Sequence, residues 1–152
     1  MLFRSTGFDT EAQQNLEGTL TLFSNRVKTL FDTGASNSFI ASRVVRDLGL
    51  VPQDLIAALN AVSPMGTSVK LSRVCRDCPI NLENRDLLAD LVILLMKEFD
   101  IILGTDWLTK YHATLDCASK SITFTILGSQ SFCFLCNPLN DAFLTRDRKS
   151  VV

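Results

Sequence analysis

The sequence predicts an all-β domain carrying one or two short helices, and three observations predict it. Apolar and polar residues alternate with the two-residue period of half-buried strands in runs such as Gly18–Phe23, Arg26–Phe31 and Val69–Val74. Short turn-forming segments separate the runs, among them Ser24-Asn25, Ser63-Pro64-Met65-Gly66-Thr67 and Glu83-Asn84-Arg85-Asp86. An apolar strand that ends at a glycine loop, with a short helix beyond, occurs twice, at Asp32-Thr33-Gly34 and at Leu103-Gly104.

Each element follows in order. Residues 1–16 are polar and mixed and are expected to form a poorly ordered leader. Gly18–Phe23 and Arg26–Phe31 make a first hairpin, and Ser38-Phe39-Ile40 resumes extended structure after the glycine turn. Ser42 is expected to cap a short helix through Val44, Val45 and Leu48, ended by Gly49. Pro52 marks a break. Leu55–Val62 and Val69–Val74 flank the small-residue tip at 63–67, and Pro79–Leu82 and Leu87–Leu95 pair around the turn at 83–86. Asp106 is expected to cap a second helix bearing Trp107, Leu108 and Tyr111. Ala113–Cys117 and Ser121–Leu127 form a closing hairpin around Ala118-Ser119-Lys120, and Phe132–Leu135 adds an edge strand within a tail of residues 128–146.

A chain of 152 residues fits one domain and can bury a sizeable core. Hydrophobic residues make up 47% and the net charge is −1, which gives no basic, aromatic-interleaved surface for nucleic acid. The stretch Met1–Asn15 lacks the apolar run of a signal peptide, and no segment reaches membrane-spanning length. Five cysteines, an odd count without an export signal, read as reduced thiols of an intracellular, cytoplasmic protein.

The chemistry-bearing residues are Asp32, Thr33 and Gly34, followed by Ala35 and Ser36. The Asp-Thr-Gly triplet occurs once. Together with the Pro64-Met65-Gly66 tip and the segment Ile102-Leu103-Gly104-Thr105-Asp106-Trp107-Leu108, it resembles the retropepsin-like aspartic proteases in order and spacing. The likeness is closest to the protease domain of gypsy-type LTR retrotransposon polyproteins, particularly of plants, where Val74-Cys75-Arg76-Asp77-Cys78-Pro79-Ile80 and His112-Ala113-Thr114-Leu115-Asp116-Cys117 are also familiar. It covers roughly residues 17–127.

The resemblance implies an acid-protease barrel or sandwich with one lobe per chain, a homodimer with one Asp32 from each copy, and a polypeptide substrate. It implies no cofactor, metal, nucleic acid or membrane. Two carboxylates about 3 Å apart cannot both ionise, so they share a proton. One then activates water as general base while the other donates to the scissile carbonyl. Asp100, Asp106 and Asp116 are the second-half candidates for an internal partner, yet none precedes Thr/Ser-Gly, and a two-lobed enzyme needs about twice this length. By the same resemblance, the Thr33 hydroxyl reaches across the two-fold axis and Gly34 brings its N–H to the carboxylates. Pro64, Met65, Gly66 and Thr67 form a flap, and Ile102, Leu103 and Gly104 a structural glycine loop. Ile40, Val62, Met65 and Ile102 are expected to line the substrate pocket. Ser36 and Thr105 stand where retroviral relatives carry an Asp–Arg pair bridging active loop and helix, so dimer support must come from elsewhere. Two rivals share the fold: an inactive or domesticated dimerisation or peptide-binding module, and a cellular retropepsin like those of DNA-damage-inducible ubiquitin receptors. The second needs ubiquitin-related domains that do not fit in residues 1–15.

Other candidates take plainer readings. Cys75-x-x-Cys78 and Cys133-x-x-Cys136 have zinc-ligand spacing, but 54 residues separate the pairs, against about 15–20 in usual ribbons. Strand alternation aims Cys75 and Cys78 at opposite faces, so the thiols read as free. His112, the single histidine, has no nucleophile nearby in sequence; Trp107 reads as packing, and Arg85-Asp86 and Lys97-Glu98 as solvated turns. Residues 147–152 resemble a translated sequencing adapter and are set apart from the fold; sequencing the genomic locus decides this. Ala35 replaces the serine of the pepsin-type loop and removes a donor to the ionised dyad. Activity is therefore expected to peak at mildly acidic pH, and a pH–rate profile with its maximum below about pH 3 would overturn this.

Overall fold

The computed structural model describes residues 14–62, 68–126, 128 and 130–136. β1 (Asn15–Leu22) and β2 (Asn25–Asp32) form the first hairpin, with Leu22 opposite Asn25 and Asn15 opposite Asp32. The turn is Phe23-Ser24, one residue earlier than expected. Both residues have positive φ (48° and 65°), the type I′ geometry whose twist matches the flanking strands. Glu83 and Asn84 repeat it (55° and 66°) between β5 (Ser68–Leu82) and β6 (Arg85–Leu94).

The remaining elements are β3 (Phe39–Ala41), α1 (Ser42–Leu48), β4 (Gln53–Val62), β7 (Ile101–Leu103), α2 (Thr105–Lys110), β8 (Ala113–Asp116), β9 (Ser121–Phe124) and β10 (Phe132–Leu135). Seven strands lie in the order β1-β2-β7-β3-β6-β5-β4, with β2 parallel to β7 and β3 parallel to β6. β1 also pairs with β5 through Thr21↔Asn81 and Leu22↔Ile80, so the sheet curls back into a barrel and leaves β4 outside. The second sheet runs β10-β9-β8. The fold is mostly β, as the alternation predicts.

One core serves both sheets. Phe31, Ile40, Ile80, Leu91, Ile101, Leu103, Ile122 and Phe124 are all fully buried within it. Trp107 on α2 bridges the layers, its ring 6.2 Å from Phe31 and 5.7 Å from Phe124. That settles Trp107 as core packing.

Both helices form but start one and two residues before the expected positions, on different caps. Ala41 and Gly104 hold the cap positions without side-chain cap bonds, so Ser42 and Asp106 lie just inside. Gly49 ends α1 in the left-handed conformation (φ 68°), as its place in the sequence predicts. The calls on residues 1–13, on the Pro64–Thr67 flap and on residues 137–152 fall outside the described residues.

Cys75 and Cys78 correct the sequence reading. Both are buried in the same core, because a β-bulge sets three steps of β5 (Cys75 to Cys78) against two of β6 (Leu91 to Ala89). Asp77 takes up the extra residue at φ 52°. The Asp90 carboxylate clasps the bulge, accepting from the Asp77 N–H at 2.9 Å and from Arg76 at 3.3 Å. All five cysteines are free. Among the described residues no three or more His, Cys, Asp or Glu side chains gather to hold a metal, and no helix is long and apolar enough to cross a membrane.

Burial pushes the Cys78 thiol up to about 12, helped by Cys75, Asp90 and Asp77, and burial likewise raises Cys136 to about 12. Cys75 is raised by the same cause, opposed by Arg73. Only Cys117 and Cys133 are exposed. Iodoacetamide at pH 8 is therefore expected to alkylate Cys117 and Cys133 in the folded protein and the other three only in denaturant, read by intact mass. Rapid native labelling of Cys78 would show that the bulge opens.

Candidate active site

β2 carries Asp32 to its last position, and the chain then turns through Thr33-Gly34. The Gly34 N–H donates to Asp32 Oδ1 at 2.8 Å, and the Ala35 N–H to the Asp32 carbonyl at 3.2 Å. The turn thus folds its own amide onto the carboxylate. The side-chain amide of Asn15, opposite Asp32 on β1, sets one terminal atom 2.7 Å from the same Oδ1 and 2.9 Å from the Gln14 carbonyl; both are acceptors, which assigns that atom as the donor Nδ2. Thr33 is held by its own chain: its hydroxyl accepts from the Gln14 N–H at 2.6 Å and its N–H donates to the Gln14 carbonyl at 3.0 Å.

The loop is anchored from behind by the second glycine segment. Gly104 gives its N–H to the Ser38 hydroxyl at 3.0 Å, and that hydroxyl donates to Asp106 Oδ1 at 2.7 Å. Asp106 Oδ1 also accepts the Trp107 N–H at 2.7 Å, and the Thr105 N–H donates to the Ala35 carbonyl at 2.8 Å. Only glycine fits at 104: a Cβ there would lie 2.3 Å from the Asn37 carbonyl oxygen and 2.5 Å from that of Ala35. The expected structural role of Gly104 follows from this approach. Within the chain, Ser38 and Asp106 tie the loop to the start of α2.

Asp32 opens into a cleft of about 970 Å³. Its walls are the active loop (Gly34–Asn37), Phe39 and Ile102, Leu59–Ala61 and Val69 of the β4–β5 hairpin, and the segment Leu94–Phe99. The lining is mainly apolar with few polar groups, the usual make-up of a ligand site. Ile102 lines it as expected, whereas Ile40 points into the core with no exposed surface. The Val62 side chain and Met65 fall outside the described residues. Lys97 and Glu98, read as a solvated turn, face the cleft.

None of the three second-half aspartates lines this cleft. Asp100 is a structural hub that pairs with Arg43 of α1 and accepts the Lys28 N–H at 2.8 Å. Asp106 serves Ser38. Asp116 caps the β8–β9 turn, where the Ser119 backbone N–H, then its hydroxyl and the Ala118 N–H, hold its carboxyl below the ordinary range. Glu98 is exposed and has no hydrogen-bond partner among the described residues.

A family model described as "Retroviral aspartyl protease" matches residues 5–130. The chain belongs to the retroviral aspartyl protease family. Its fold is similar to a solved structure, the retroviral protease-like domain of Ddi1 from Leishmania major. The TM-score is 0.60 at 21% identity, covering 84% of this chain and 94% of that one. No curated protein matches significantly.

Within this retroviral aspartyl protease domain, Asp32, Gly34, Ala35 and Ser36 come together at the cleft, with Thr33 behind them. The sequence reading missed Asn15, Ser38 and the cleft-facing segment Leu94–Phe99. A correct hairpin register would have found Asn15, since it alone sets which residue faces Asp32. Ser38 carried no local signal, because its partners lie 66 and 68 residues away.

Ser38 is 1% exposed, so Ser38→Ala leaves a buried Gly104 N–H without its acceptor and is expected to cost about 1–3 kcal/mol of stability. Gly104→Ala is expected to cost more, because backbone must move. Urea unfolding checks both, and a Gly104→Ala protein as stable as wild type would refute the close approach.

Proposed function

We propose that this chain is an aspartic endopeptidase that hydrolyses peptide bonds as a homodimer, through water activated between the two Asp32 carboxylates. The observation that carries the reading is Asp32 itself, fixed by the Gly34 N–H at the mouth of β2 and open to an apolar cleft. Each chain supplies one Asp-Thr-Gly triplet, and the cleft's other carboxylate, Glu98, is exposed and makes no hydrogen bond among the described residues. A second copy is the source that brings an identical, identically held carboxylate.

At close approach the pair shares one proton. The ionised member takes a proton from water as the oxygen attacks the scissile carbonyl, and the protonated member gives its proton to the carbonyl oxygen. No covalent intermediate and no metal are needed. Residues 64–67 are the proposed flap over the substrate, which a strand-like peptide meets through backbone hydrogen bonds. Thr33 is proposed to bond the partner loop once two copies meet. Phe39, Leu94, Phe99 and Ile102 around Asp32 favour apolar side chains beside the scissile bond.

The motifs resemble those of gypsy-type retrotransposon polyproteins, so the proposed substrate is such a Gag-Pol polyprotein, cleaved in the cytoplasm or in retrotransposon particles. The protease unit is proposed to include residues 17–127, and β1 extends it to Asn15 rather than leaving 15–16 in a leader.

The test is cleavage of a peptide library by purified protein across enzyme concentrations, with Asp32→Asn alongside. Specific activity is expected to rise with concentration as dimers form, and the variant to lose at least about a thousandfold of activity. A folded dimer that cleaves nothing would assign the chain to a binding module.

A further inference from the structure

We propose that Asn15 is a positioning residue for the catalytic carboxylate, its side-chain amide fixing Oδ1 of Asp32 and leaving Oδ2 for water and substrate. The proposal rests on the peptidase reading for its functional meaning, but its geometry stands independently.

Asn15 and Asp32 are direct partners in the β1–β2 register, so their side chains lie on one face of the hairpin. The amide is oriented by two acceptors at once, Asp32 Oδ1 at 2.7 Å and the Gln14 carbonyl at 2.9 Å. The opposite orientation would set its oxygen against a carboxylate oxygen. Oδ1 therefore takes one donor from the turn, Gly34, and one from the neighbouring strand. Gln14 is itself clamped by the Thr33 backbone, so the acceptor that orients Asn15 belongs to the active loop's own hydrogen-bond set. Ala35 has no hydroxyl to offer, and Asn15 supplies a side-chain donor to the carboxylate from outside the loop. A hydrogen bond to an ionised carboxylate is about twice as strong as a neutral one. An amide does not titrate, so it donates without adding charge to a pair that must share one proton.

The other charged groups around Asp32 are Glu17 on β1 (opposite Leu30), Lys28 on β2, and Lys97 and Glu98 across the cleft; β7 carries none. In the proposed dimer the second Asp32 joins them. Asn15→Asp keeps the shape of the side chain but replaces the donor with an acceptor when ionised, which faces one carboxylate with another.

Two measurements test the proposal. In the wild-type protein the Asn15 side-chain 1H–15N resonances are expected to titrate with pH, and in Asp32→Asn this titration disappears. In kinetics, Asn15→Asp is expected to lower kcat about tenfold or more with KM changed less than about twofold. The penalty should widen as pH rises and shrink at acid pH, where a protonated carboxyl donates again. Asn15→Ala, which brings no charge, should show a kcat loss that does not widen with pH in this way. Melting temperature and dimer content, measured on each variant, separate positioning from unfolding. Asn15 resonances that ignore pH, or a folded Asn15→Asp dimer with wild-type kcat, would overturn the proposal. A wild-type protein that cleaves nothing while Asn15 titrates with Asp32 would support the positioning and sink the peptidase reading.

Discussion

The architecture around Asp32 depends on one close approach, the packing of Gly104 against the Ala35 and Asn37 carbonyls. No side chain fits there, so the second glycine segment can press its backbone onto the active loop. The contact brings the Thr105 N–H to the Ala35 carbonyl and the Ser38 hydroxyl between Gly104 and Asp106. Ser38 is both acceptor and donor in this arrangement, so its buried hydroxyl is fully used. The loop's rigidity is thus a property of backbone packing, with a single hydroxyl and a single carboxylate completing it.

Around that contact the fold works as a set of clamps on short strands. β3 and β7 have three residues each and contribute little ladder of their own. Asp100 compensates with four contacts to three elements, β2, β3 and α1: its N–H meets the Lys28 carbonyl, its carbonyl meets the Ala41 N–H, and its carboxylate takes the Lys28 N–H and the Arg43 guanidinium. Arg43 also reaches the Lys97 and Phe99 carbonyls, which shapes the segment that walls the cleft. Three aspartates of the second half, Asp100, Asp106 and Asp116, thus have structural duties, while Asp32 opens into the cleft.

Period and punctuation made the all-β class, the two helices and the glycine turn at Asp32-Thr33-Gly34 readable from the sequence, because each is a local property of the chain. Registers were not local. A hairpin turn one residue later would have set Glu17 opposite Asp32, and only the type I′ geometry of Phe23-Ser24 places Asn15 there. Neither turn residue is glycine, so the usual signal for that geometry was missing. The bulge at Arg76-Asp77 hid in the same way. Strict alternation separates Cys75 from Cys78, and only the grip of Asp90, 13 residues from Asp77, sets both facing inward. Ser38 and Gly104 found each other across 66 residues, beyond the reach of any local pattern.

That separation has a consequence for a chain made from its N-terminus. Asp32 and its hairpin partner leave the ribosome early, and the turn that contacts the carboxylate needs nothing beyond Gly34. The supports at Asp100, Gly104 and Asp106 emerge some seventy residues later, and contacts of such long range form after local ones. While the intervening residues are made, the loop has its hairpin contacts to Gln14 and Asn15 but not the backing of the second glycine segment. Order in synthesis itself delays completion of the loop's support, and the delay is written into the distance between two glycines.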